Sequence, residues 1–193
     1  MIFHRCNVHI INDAGATNIQ NGLGNLVIGY DEDPGNALIY GPGNPYTAAA
    51  GSPQQNVIPT PLAPGDRSGS HNIVIGRWNR FQGFGGFVGG EENSIGGEGS
   101  SILGGAGNTI QPILFAFHSY EGAIVGGYGN VISSESYECV VVGGEDNIAF
   151  SDGNVILGGL FNTSAGSDNT IIGGIHIVEE TLDSDDQFDA FNY

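Results

Sequence analysis

Eight times along the chain a short apolar run ends in glycine, and the interval between these marks sets what the chain can fold into. Anchored on the first Gly of each, the repeats read NLVIG at Gly29, NIVIG at Gly76, GFVGG at Gly89, SILGG at Gly104, AIVGG at Gly126, VVVGG at Gly143, VILGG at Gly158 and TIIGG at Gly173. From Gly76 onward the steps are 13, 15, 22, 17, 15 and 15 residues. Such a period is too short for a helical repeat and matches one coil of a narrow β-solenoid. A second mark follows each glycine pair: Asn93, Asn108, Asn130, Asn147 and Asn162 fall four residues after the first Gly, and Asn79 falls three after Gly76. Glycine turns without a Cβ clash, and Asn is the side chain most at home in the left-handed region. Each coil therefore reads as strand, Gly-Gly corner, Asn turn and second short strand. Stacked, the turn asparagines Asn93, Asn108, Asn130, Asn147 and Asn162 are placed to hydrogen-bond as a ladder. The predicted fold is all-β, a parallel β-solenoid (β-roll) with coils of about 15 residues.

The two residues before the first Gly are apolar in every repeat, from Val27/Ile28 to Ile171/Ile172. Adjacent strand residues point to opposite faces, so both faces carry an apolar column. One column fills the interior; the other forms an outer stripe larger than soluble monomers usually expose, and self-association covers it. The self-association column is assigned to Val74, Phe87, Ile102, Ile124, Val141, Ile156 and Ile171, and a homotrimer is the expected oligomer. The opening MIFHRCNVHII reads as a strand and not as a polar cap, which adds end-to-end stacking into filaments as an expectation.

Departures from the repeat divide the 193 residues into segments. Residues 1–30 hold the first strands and first coil, 31–70 an insertion, 71–177 the solenoid repeats with a second insertion at 111–121, and 178–193 an acidic tail. The first insertion contains seven of the eight prolines. Its Leu38, Ile39, Tyr40, Val57 and Ile58 are too apolar for free solvent, so it is expected to pack along the solenoid wall. The second explains the step of 22, and its Phe115, Phe117, His118 and Tyr120 suit either a packed plug or an aromatic platform for a sugar ring. Trp78, flanked by Arg77 and Arg80, suits either a cation–π contact or carbohydrate stacking.

Period-fifteen coils of the form S-x-I-x-G-G-x-x-N resemble the head domains of trimeric autotransporter adhesins. The stretches CNVHIINDAGATNIQNGLGNLVIGYDE (6–32), GSHNIVIGRWNRF (69–81) and FGGFVGGEENSI (84–95) are similar also to bacterial surface-type proteins with the same Gly-Gly-x-x-Asn repeats. The resemblance spans roughly residues 6–174 and implies a trimeric parallel β-roll.

Charge excludes some partners. Residues 1–96 hold all four bases and seven acids, for −3; residues 97–193 hold fourteen acids and no base, for −14. With four arginines and no lysine a grip on phosphates fails, so no nucleic-acid partner is expected. An acidic surface favours solubility and, at most, loosely bound Ca2+; Asp183, Asp185 and Asp186 lack the spacing of a calcium loop. No apolar run reaches membrane-span length and no secretion signal is visible, so no membrane insertion is expected. Cys6 and Cys139 read as packed thiols. The five histidines lack zinc-ligand spacing, no nucleophile elbow, Walker loop or HExxH occurs, and the carboxylate pairs Glu91/Glu92 and Glu145/Asp146 fall at corners. No catalytic residue, metal or cofactor is assigned, and the chain is expected not to be an enzyme. It reads as a structural segment of an extracellular, cell-surface or virion fibre, filament or adhesin; the alternative is a tail-fibre or adhesin head gripping glycans through Trp78 and the 111–121 insertion.

Overall fold

A computed structural model describes residues 8–29, 66–111, 121–133, 136–179 and 187–188. These residues form strands and turns and no helix, in stacked coils of about 15 residues. Alternate strands of the chain go to two parallel sheets. The nine-stranded sheet takes β1 (Leu26–Ile28), β2 (Ile73–Arg77), β4 (Phe87–Glu91), β6 (Ser101–Ile102), β8 (Ala123–Ile124), β10 (Val140–Val141), β12 (Val155–Ile156), β14 (Thr170–Ile171) and β16 (Gln187–Phe188). The seven-stranded sheet takes β3 (Arg80–Phe81), β5 (Ser94–Ile95), β7 (Thr109–Ile110), β9 (Val131–Ile132), β11 (Ile148–Ala149), β13 (Thr163–Ser164) and β15 (Val178–Glu179). Single bridges, Glu91 to Ala106, Tyr128, Glu145, Leu160 and Ile175 in turn, make a narrow third wall.

The core lies between the two sheets. Val74, Val88, Ile102, Ile124, Val141, Ile156 and Ile171 face inward from the larger sheet, and Phe81, Ile95, Ile110, Ile132 and Ala149 meet them from the smaller one. This corrects the assignment of the self-association column. Val74, Ile102, Ile124, Val141, Ile156 and Ile171 fill the interior, where a partner chain cannot reach them. Of the residues assigned to that column, Phe87 alone faces outward; it is half-buried, and Val88 takes the inward place in its strand. The outward residues are the neighbours of the inward ones, and a pattern apolar on both faces carries no sign to tell the two apart.

The register also differs from the repeat count. Gly76 pairs with Gly90, the second glycine of its pair, and not with Gly89. From the next coil onward, Leu103, Gly104 and Gly105 separate Ile102 from Ala106, where only Gly89 and Gly90 separate Val88 from Glu91. The first glycine of those later pairs is thus an added residue, a bulge at the corner. Measured along the asparagines the steps become 14, 15, 22, 17 and 15 residues, and the odd interval of 13 disappears.

Two segment boundaries shift. β15 and β16 fall inside 178–193, so both sheets continue into the segment read as a tail outside the repeat. At the other end β1 pairs in register with β2, Leu26 with Ile73 and Ile28 with Ile75, across the whole first insertion. Most of that insertion, residues 31–65, including its expected wall contacts, lies outside the described residues.

Candidate functional site

The turn asparagines form a continuous buried ladder. The Oδ1 of Asn79 accepts the backbone N–H of Asn93 (3.0 Å), and the same bond runs from Asn93 to Asn108 (2.9 Å), Asn130 (3.0 Å), Asn147 (3.1 Å) and Asn162 (3.0 Å), ending at the N–H of Ile177 (3.0 Å). From Asn93 to Asn162 each Nδ2 also donates to two glycine carbonyls, one in its own corner and one in the next coil, for Asn130 Gly126 (3.2 Å) and Gly144 (3.1 Å); Asn79 donates to Ile75 and Gly90 instead. The side chain thereby bonds the first-glycine carbonyl of its own corner and adds a second bond to the next coil's glycine carbonyl, which already accepts a backbone N–H, from Tyr128 in the case of Gly144. A second, shorter series stands at the opposite corner. Asn25 accepts the N–H of Asn72 (2.8 Å), Asn72 that of Gly86 (2.9 Å), and Asn154 that of Asn169 (3.0 Å). Cys139 occupies the same corner one coil before Asn154. It is buried and free, with Sγ 2.8 Å from the Ser151 carbonyl, and burial pushes its thiol up to about 11.

The residue before each ladder asparagine, and before Ile177 where the ladder ends, is left-handed. Gly107 and Gly129 hold this place in two coils, but Trp78, Glu92, Asp146, Phe161 and His176 hold it in others, with φ between 53° and 60°. Their side chains line one outer corner. The guanidinium of Arg77 lies 4.2 Å over the Trp78 ring and bonds Glu91 of the next coil at 2.6 Å. Both contacts are within the chain, and they occupy one face of the half-buried Trp78. Phe161 and His176 stack at 5.1 Å. Burial, then the neighbouring Glu145, pushes the Asp146 carboxyl up to about 6; Glu92 is raised by burial and then by Glu91. Phe115, Phe117, His118 and Tyr120 lie outside the described residues, so Trp78 is the one ligand candidate whose surroundings are described.

The two sheets present opposite outer faces. On the smaller sheet the outward residues Arg80, Ser94, Thr109, Val131, Ile148 and Thr163 are buried, and Val178 of β15, in register with Thr163, is 40 % exposed, so that face is covered except at its last strand. On the larger sheet the outward pairs run Leu26/Ile28, Ile73/Ile75, Phe87/Gly89, Ser101/Leu103, Ala123/Val125, Val140/Val142, Val155/Leu157 and Thr170/Ile172. None of these sixteen positions is charged; the charges in these strands, Arg77 and Glu91, stand at the corner ends of β2 and β4 and pair with each other. Leu103 remains 55 % exposed, Leu157 45 % and Ile172 46 %. With strands about 4.8 Å apart the stripe is roughly 34 Å long. Alternation along apolar strands is the signal that points to such a stripe; only the coordinates tell which member of each pair faces out.

Among the described residues no group of three or more His, Cys, Asp or Glu side chains is arranged to hold a metal ion, and no helix is long and apolar enough to cross a membrane. Comparison with family profiles finds no match, and neither does comparison with curated proteins or with solved structures.

Proposed function

We propose that the chain is a structural rod, a segment of a fibre, filament or adhesin outside the cell or on a virion, which self-associates side by side through the outer face of its nine-stranded sheet. What carries this reading is the uncharged stripe on a chain of net charge −17. Its exposed apolar surface is on the order of 800 Å², above the patches that monomers tolerate and close to one side of a standard interface. Two such acidic chains repel wherever carboxylates meet, and here none do. A homotrimer, as the adhesin-like repeats imply, closes the stripe about one axis.

Light scattering across a dilution series tests it. At the lowest concentrations, where end-to-end contacts dissociate, the expected mass is that of three chains, and Val142→Asp with Leu157→Asp brings it down to one chain there without changing the far-ultraviolet circular dichroism. A parent chain that stays monomeric at every concentration overturns the reading.

A further inference from the structure

We infer that the C-terminal end of the solenoid receives the N-terminal coil of a second copy, with β1 taking the place of β16 beside β14, so that rods join head to tail. The inference rests on the reading of the chain as an assembling rod but uses a different surface.

In the second corner series each Asn Oδ1 takes the backbone N–H of the following coil, and Asn154 Nδ2 donates to the Ser151 (2.8 Å) and Ser164 (3.3 Å) carbonyls. Asn169 is the next rung. It is 1 % exposed, yet neither its Nδ2 nor its Oδ1 has a hydrogen-bond partner. A buried amide left unbonded is costly and calls for a specific account. The rungs before it define what is missing: a backbone N–H and a carbonyl from a coil stacked in register. β16 lies beside β14, pairing Thr170 with Gln187 and Ile171 with Phe188, and still leaves Asn169 unbonded.

The N-terminal end presents the complement. Among the described residues β1 is an edge strand whose single neighbour is β2, and it begins just after Asn25, a rung of the same series. Among the described residues nothing accepts the backbone N–H of Asn25. Val27 belongs to the inward column and packs against the core, but it is only partly buried, and among the described residues no strand lies on its outer side. Laying Asn25–Ile28 of one copy over 169–172 of another repeats the register by which β1 already meets β2. Asn169 then gains the N–H of Asn25, and Val27 stacks on Ile171. Register fixes the polarity, because a parallel strand laid on β14 as β1 lies on β2 joins rods only head to tail, and charge disfavours tail-to-tail contact, which would bring together two halves at −14.

The test uses two full-length chains, Ile28→Cys and Ile172→Cys, each carrying Cys6→Ser to remove a competing thiol and Leu157→Asp to remove lateral association. Paired neighbouring strands bring such Cα atoms about 5 Å apart, within disulfide reach. Under mild oxidation the mixture is expected to give a linked heterodimer that neither chain gives alone. No linkage in the mixture means that β16 keeps its place, and linkage of each chain with itself means a non-polar contact; either overturns the inference. Asn169→Ala supplies an independent readout. It is expected to leave the melting temperature of the single chain unchanged or higher while suppressing linkage, whereas Asn154→Ala lowers the melting temperature by several degrees. Equal losses from both would show Asn169 already bonded and would reject the proposal. Lateral association fails separately, on the mass of the parent chain.

Discussion

The two glycines of each corner are alike in sequence and unlike in what they do. Gly144 has φ +87°, and a Cβ there would collide with the Gly159 carbonyl and the Asn147 side chain; at Gly143 a Cβ would meet nothing within 4 Å. Gly144→Ala is therefore expected to cost about 3 kcal/mol in urea unfolding, and Gly143→Ala to stay within about 0.5 kcal/mol of the parent. Because the first glycine is the added residue, counting from it misplaces Gly76 by one coil position, a shift that identical letters conceal. Asp146 gives a second residue-scale expectation. Its folded carboxyl, pushed up to about 6, keeps a proton between roughly pH 4 and 6 where the unfolded chain has lost it, so its contribution to stability rises as pH falls from 7 toward 4. Asp146→Asn is expected to raise stability at pH 7 by about 1 kcal/mol, after discounting for screening at this half-exposed site. The advantage should vanish in melts at pH 4.5. Asn also tolerates the left-handed φ of 53° at this position.

At the scale of strands and corners, the ladder replaces what two-residue strands cannot supply alone. Asn130 accepts the backbone N–H of Asn147 (3.1 Å) and its Nδ2 (3.0 Å), and donates to Asn108 Oδ1 as well as to its two glycine carbonyls. Asn130→Ala leaves the Asn147 N–H and the Gly126 carbonyl without their partner and removes three further bonds, at an expected cost of about 3 kcal/mol. Hydrogen exchange at the Asn147 amide should speed up at the same time, while exchange at Asn93 stays unchanged. This much was legible beforehand, because an Asn at fixed distance from each glycine is written into the sequence. The identity of the left-handed residue before it was not. Trp78, Phe161 and His176 are poor guesses for positive φ, and they hold it because the stacked coils on either side fix the corner.

For the molecule as a whole, the period and the doubled apolar columns led to a β-solenoid with one apolar face left over, and the coordinates show both. They did not tell inside from outside. Val74 and Ile75 are equivalent on paper, and only the opposing column of Phe81, Ile95 and Ile110 selects Val74 for the core. Nor did the sequence show that the outer positions of the smaller sheet, from Arg80 to Thr163, would be buried, leaving the larger sheet as the open face. The charge gradient from −3 to −14 was legible as arithmetic and gains direction once the coils are stacked in chain order, one half above the other.

Through its Oδ1 each ladder asparagine bonds the coil directly after it, and it does so whether 14, 15, 17 or 22 residues of chain intervene. Heredity can act on such a molecule by the unit. A duplicated coil inherits a rung that fits above and below, and lengthens the rod by about one strand spacing, roughly 4.8 Å. A misaligned crossover between neighbouring repeats then yields a longer or shorter protein instead of a broken one, so length is the trait this architecture leaves most open to change.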